Sequence, residues 1–247
     1  MSLFSDLQLY LDVARKTQSS ADLRTATAAF ISEIGFDFFA LLHHVSTTSP
    51  PPSAIRLGNY PPIWREIVEE RQYVCDDPIL TACQGAISGF QWQDIEHLLE
   101  MTPRQREILA AAADAGLGDG FTVPLHLPGD FDASCSFVVA GGRPAPVRSF
   151  PAAQYVACFA FEQARRLVSL ELTQRKAAPR LTQRQLDCLI LAARGKSAPV
   201  TAELLGISAE TVYEHLGEAK RRYGVATIQQ LLVNALHDSQ IVFADVL

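Results

Sequence analysis

Four residues in one stretch of this chain have side chains suited to holding a small polar-headed molecule. They follow the spacing Tyr60-x3-Trp64-x12-Asp77-Pro78-x13-Trp92, and Trp64 and Trp92 are the only two tryptophans in 247 residues. Tyr60 precedes Trp64 by four positions, so a helical start places both rings on one side. An indole N–H and a phenol each donate to a carbonyl, whereas a carboxylate accepts from an amide N–H. A ligand with an amide, a carbonyl or lactone, and an acyl chain would match that set. Such a ligand needs a pocket that is mostly apolar with a few polar tips. Taken singly the residues say less: a tryptophan in an amphipathic helix is usually core, and an Asp before Pro is usually a cap or turn residue.

Catalysis and metal binding have little support. "HLPGDFDASCS" gathers His, Asp, Ser and Cys, but no nucleophile elbow accompanies them. His43 and His44 have no partner at ligand spacing and read as strand residues. Five cysteines are scattered without a CxxC pair, a pattern expected of reduced thiols in a cytoplasmic protein. No catalytic residue, metal site or cofactor is expected.

The elements that must position these groups can be read from periodicity. "LFSDLQLYLDVARK" and "ADLRTATAAFISEIG" have helical spacing, with Ser20 as expected N-cap and Gly35 as stop. "FDFFALLHHV", "AIRLGN", "SGFQW", "DGFTVPLHL" and "ASCSFVVAGG" read as strands, which places Trp92 on a strand. "PPIWREIVEERQ" and "DPILTACQGA" read as helices opened by proline, with Asp77 as a cap. Thr102 and Pro103 open another, and residues 151–172 form a long amphipathic one. The fold class expected is α+β: an N-terminal α/β/α sandwich around roughly five largely antiparallel strands, followed by an all-α domain. The domains are expected at 1–172 and 181–247, joined by a polar linker at 173–180. The N-terminus has no basic leader before an apolar run, and no run is long enough to span a bilayer, so no membrane partner is expected.

Charge divides along this boundary. Residues 1–174 hold 12 Lys+Arg against 20 Asp+Glu (−8), and residues 175–247 hold 9 against 7 (+2), which together give the net −6. Only the tail could approach a polyanion. Four helices are expected there, and "ELLGISAETVYEHL" supplies helix-turn-helix grammar. Gly206 makes the turn, Ile207 fills the space between helices, and Ser208 caps the second helix, the reader of the major groove.

The tail resembles the DNA-binding domain of the LuxR-type regulators over 181–236. The matching residues include Leu181–Thr182, Gly195–Lys196–Ser197, Leu205–Gly206–Ile207–Ser208, Thr211–Val212, His215 and Gly224–Val225. The Tyr60/Trp64/Asp77–Pro78/Trp92 spacing, with Gly116, Gly120 and Pro124, resembles the autoinducer-binding domain of the same family. There it implies an N-acyl homoserine lactone as effector: Trp64 to the lactone carbonyl, Asp77 to the amide N–H, Tyr60 to the acyl carbonyl, Trp92 against the ring, and the Ser136 hydroxyl near the acyl carbonyl. The resemblance further implies quorum sensing, a homodimer on an inverted-repeat site in double-stranded DNA, and RNA polymerase as a further partner. DNA contacts are expected from Lys196, Ser208, Thr211, Tyr213, Glu214, Gly217, Arg221 and Arg222. Three positions depart from the family pattern: Val68 stands where a pocket tyrosine is usual, and Tyr213 and Gly217 stand where Lys or Arg is frequent. Val68 keeps open a non-lactone signal, or action without ligand.

Overall fold

A computed structural model describes residues 3–45, 50–127, 130–172 and 179–247. The chain divides into two compact units. In the first, helices α1 (Leu3–Lys16) and α2 (Ser20–Glu33) precede strands β1 (Phe38–His43) and β2 (Arg56–Gly58). Helices α3 (Pro62–Glu70) and α4 (Pro78–Cys83), strand β3 (Phe90–Gln91), a one-turn α5 (Ile95–Leu98) and α6 (Pro103–Asp114) follow. The long strands β4 (Leu117–Leu125) and β5 (Ala133–Ala140) then lead into α7 (Phe150–Leu172). The strands form one antiparallel sheet in the order β2-β1-β5-β4-β3.

Strand side chains alternate between faces, and here the two faces have different chemistry. Phe39 and Leu41 of β1, Phe121 and Val123 of β4, and Cys135 and Phe137 of β5 join one apolar core with α1, α2 and α7. Phe121 stacks on Phe150 of α7 with ring centroids 4.3 Å apart. The intervening residues Ala40, Leu42, Ser134 and Ser136 line a cavity on the opposite face. That face is closed by a second apolar cluster, which includes Trp64 of α3, Ile108 and Ala112 of α6, and Tyr73.

The expected α/β/α architecture and five-stranded antiparallel sheet are therefore present. Two local expectations are corrected. The N-cap of α2 is Ser19, whose side chain accepts from the Asp22 N–H, so Ser20 is the first helical residue. Trp92 lies just past β3 in a 3-10 turn (Trp92–Asp94). Strand β3 pairs only through Phe90 and Gln91, so the ladder ends before the indole. The expected linker 173–180 lies outside the described residues over 173–178.

The second unit contains α8 (Gln183–Ala193), α9 (Ala198–Leu205), α10 (Ala209–Tyr223) and α11 (Ile228–His237), the four helices expected, and a one-turn α12 (Phe243–Val246). Its core includes Leu181, Cys188, Leu189, Val212, Leu216 and Leu231. Thr182 caps α8 reciprocally with Gln185, a capping box that satisfies two helix-start N–H groups. Among the described residues, no helix is long and apolar enough to cross a membrane.

Candidate ligand cavity and nucleic-acid interface

The cavity of the first unit measures about 510 Å³, within the range of small-molecule sites. Tyr60, Trp64, Val68, Asp77, Trp92 and Ser136 all line it. Residues from a loop, two helices, a 3-10 turn and a central strand thus converge on one space. Pro78 is the exception among the expected set: it is buried at the first position of α4 and does not line the cavity. Its part is conformational, because its fixed φ suits the first helical turn and leaves Asp77 at the cap.

Asp77 accepts from the Ile79 N–H at 2.8 Å, as an N-cap does. Burial pushes its carboxyl up to about 6, while hydrogen bonds from the Ile79 and Leu80 backbone oppose that rise. Carboxylate oxygens offer more lone pairs than the cap consumes, so the group can accept once more from a molecule in the cavity. Trp64 is 6% exposed. Its indole N–H has no acceptor among the described residues, although the ring borders the cavity.

Trp92 behaves differently. Its Nε1–H donates to Thr122 Oγ1 at 2.8 Å, and that hydroxyl is paired with Ser136 Oγ at 2.8 Å. The Tyr60 hydroxyl borders the same cavity; burial is the chief cause that pushes its pKa up, and Ser136 opposes that rise. A chain of three polar groups, Trp92, Thr122 and Ser136, thus runs along one wall, with Thr122 fully buried in its middle. Because the Trp92 N–H is committed, only its ring is offered to a ligand. The close approach depends on Gly120: a Cβ there would sit 2.8 Å from Trp92 Cδ2 and Cε2.

Four residues at or behind the cavity were not singled out from sequence. Ser134 shares a strand face with Ser136, a two-residue spacing that could have found it. Thr122 is opposite Ser136 only through the β4–β5 register. Arg24 and Arg56 line the cavity but carry no sequence signal, since lone arginines are ordinary on a surface. Among the described residues no group of three or more His, Cys, Asp or Glu could hold a metal ion.

In the second unit, Gly206 adopts a left-handed φ of 66° between α9 and α10. A residue with a Cβ pays for that conformation and glycine does not. Ser208 Oγ accepts from the Thr211 N–H at 3.1 Å and caps α10. Val212, Leu216 and Ala219 are the buried stripe of α10. Tyr213, Glu214 and Arg221 are exposed, with Thr211 and Gly217 half-buried. Tyr213, Glu214, Gly217 and Arg221 fall at helical spacing on one side, so they can enter a groove together. Lys196 is exposed in the α8–α9 loop. Arg222 is tied down instead, donating to the Arg180 carbonyl at 3.1 Å and to Glu218 at 3.2 Å. Glu218 also accepts from Gln185, which makes it a packing residue rather than a reader. Glu210, Tyr213 and Glu214 have no side-chain partner among the described residues.

Comparisons with known proteins match both parts of the chain. The family profile "Autoinducer binding domain" matches residues 19–164, and "Bacterial regulatory proteins, luxR family" matches residues 179–235. The chain is 28% identical over 205 residues to the transcriptional activator protein BjaR1 of Bradyrhizobium diazoefficiens, covering 82% of each chain. It is 26% identical over 229 residues to the quorum sensing-dependent regulator RpaR of Rhodopseudomonas palustris, covering 92% of this chain and 91% of that one. Among solved structures, Escherichia coli SdiA matches with a TM-score of 0.69 at 21% identity, over 98% of this chain and 100% of that one. BjaR1 and RpaR are a transcriptional activator and a transcriptional regulator, not enzymes. The chain belongs to the LuxR family of bacterial transcriptional regulators, with an autoinducer-binding domain followed by a LuxR-type helix-turn-helix domain.

Proposed function

We propose that this regulator senses an N-acyl homoserine lactone and, as a homodimer, binds an inverted-repeat promoter site. The observation that carries the ligand reading is the convergence of a free indole N–H, a capping carboxylate and a hydroxyl pair on one cavity of about 510 Å³. Trp64 donates to the lactone carbonyl, Asp77 accepts the amide N–H, Tyr60 and Ser136 meet the acyl carbonyl, and the Trp92 ring packs on the lactone. The relative RpaR, a quorum sensing-dependent regulator, supports the same reading. Thermal melts of the full chain with lactones of increasing acyl length test it. A ligand at 100 times its Kd stabilises by about 2.7 kcal/mol, so at least one lactone raises the melting midpoint by several degrees. A well-folded sample that no lactone shifts would sink the reading.

Val68 favours a second reading, a solo regulator responding to a non-lactone molecule or acting without ligand. It lines the cavity where the family usually places a tyrosine, so the wall there is lower and less polar. One solved SdiA structure, with a TM-score of 0.67 at 20% identity, contains octanoyl-rac-glycerol, an acyl compound without a lactone. Mass spectrometry of material that co-purifies with the protein discriminates the two.

For dimerisation, α7 presents Tyr155 63% exposed, beside α1 with Leu9 61% exposed. Apolar groups so placed are a surface for a second copy. Ligand binding to the folded state stabilises it by linkage, and the dimer then delivers two recognition helices and meets RNA polymerase at the promoter. On DNA, Lys196 and Arg221 contact phosphates, while Glu214 reads a base. A carboxylate accepts from cytosine N4, so Glu214→Ala should cost about 1–3 kcal/mol at one C·G position and relax the preference there. Binding measured over a library of operator variants checks this, and uniform weakening at every position would argue against it.

A further inference from the structure

The floor of the cavity is ordered by strand register. One row runs Gly58–Ala40–Ser136–Thr122 across β2, β1, β5 and β4, and the next cavity-facing row runs Arg56–Leu42–Ser134–Pro124. Two residues along a strand separate the rows, about 7 Å. Trp92 lies over Gly120, one row beyond Ser136 on the opposite side from Arg56. Trp92 and Tyr60, which packs on Phe38, therefore lie toward one end of the floor, and Arg56 ends the other. Arg24 of α2 lines the cavity too, and α2 packs against β2. Both arginines are exposed and are paired with no carboxylate among the described residues. Apart from Asp77, the sole carboxylate among the lining residues is Glu69, which shares α3 with a further lining arginine, Arg65.

We propose that Arg24 and Arg56 form a cationic tail site, and that the signal is an acylated lactone whose chain ends in a carboxylate. This deepens the lactone reading and rests on it. The lining chemistry supports it: Asp77 presents a carboxylate to a ligand N–H, whereas Arg24 and Arg56 present cationic donors that no carboxylate among the described residues pairs. A guanidinium makes paired hydrogen bonds to a carboxylate. An alkyl terminus at the same place would leave those charges unanswered. Exposure to solvent limits the gain, so it is read as selectivity between two ligands and not as bulk affinity.

Isothermal titration of the full chain with two probes tests this: N-octanoyl homoserine lactone, and the lactone of the same chain length ending in a carboxylate. The carboxylate-ended probe should bind the parent about 5–10-fold more tightly at low salt, an advantage that shrinks in 0.5 M NaCl. In the Arg24→Gln/Arg56→Gln variant the ratio of the two dissociation constants should fall to about one, a reading that subtracts any general change in the fold. An advantage absent from the parent, or one that survives in the double variant, overturns the tail site while the octanoyl probe still binds. If neither probe binds folded parent protein, the lactone reading itself has failed, and the tail site fails with it.

Discussion

Replacing Asp77 with Asn should reduce ligand affinity by about 10–100-fold while leaving the unliganded fold intact. Asn caps helices about as well as Asp, so the Ile79 N–H keeps an acceptor. What is lost is the negative charge that a ligand N–H meets, and a hydrogen bond to a charged group is worth about 1.5–3 kcal/mol. The pH dependence identifies the cause. In the free protein, burial lifts the Asp77 carboxyl to about 6. A ligand amide prefers the ionised form, so binding lowers that value and affinity falls as pH drops below it. Parent affinity should be flat above about pH 7 and about tenfold weaker at pH 5, whereas the Asn variant should show no such slope. The unliganded fold responds with the opposite sign. A carboxyl raised above its ordinary 3.8 contributes stability that is present below that value and lost as pH rises through about 6. Ligand affinity and the Asp77 contribution to apo stability therefore move oppositely between about pH 4 and 6. Titrations and melts of both proteins at three pH values decide it, and parallel pH slopes in parent and variant would remove Asp77 from the ligand's amide.

Gly120→Ala should damage fold and site together. The added Cβ would lie 2.8 Å from two indole carbons of Trp92 and 3.2 Å from the Phe137 carbonyl. The strand cannot retreat, because Gly120 is in register with Val138 of β5, so the indole must move. That movement breaks the donation to Thr122 and frees the hydroxyl on which Ser136 is held. Overpacking of this kind costs about 1–3 kcal/mol, seen as a melting midpoint lower by several degrees. Ligand affinity should fall about tenfold or more, since the ring wall and the hydroxyl geometry change at once. Tryptophan fluorescence should shift as Trp92 becomes wetter. Gly85→Ala is the matched control, for a Cβ there meets nothing within 4 Å. Equal midpoints for the two variants would show that the Trp92–Gly120 contact does not constrain the site.

How much of this was legible in the chain itself depends on range. Local signals were sufficient for most helix starts: Asp77 caps α4, and Thr102 with Pro103 opens α6. Gly206 and Ser208 made the helix-turn-helix readable, because a left-handed turn and an N-cap each demand a narrow set of residues over a few positions. The two faces of the sheet were separated only by the fold, which sends Phe39, Leu41, Cys135 and Phe137 to the core and Ala40, Leu42, Ser134 and Ser136 to the cavity. By contrast, Ser19 rather than Ser20 caps α2, since adjacent serines carry the same propensity and only the backbone angle chooses between them.

The sequence by itself carried the family, an expectation of two domains, and Tyr60, Trp64, Asp77, Trp92 and Ser136 as candidates for one pocket. Each of those rests on residue type and short spacing, or on a motif whose spacing reflects a shared fold. Only the tertiary structure decided what each polar group has left to offer. It assigned the Trp92 N–H to Thr122, left the Trp64 N–H without an acceptor among the described residues, withdrew Pro78 from the cavity wall, and tied Arg222 to Arg180 and Glu218. It also aligned Arg56 with the end of the cavity floor through the β1–β2 register. Those outcomes depend on contacts between residues tens of positions apart. A hydrogen-bonding group can be committed or free with no change in its own identity or neighbours in sequence, so its availability is a property of the packed state alone.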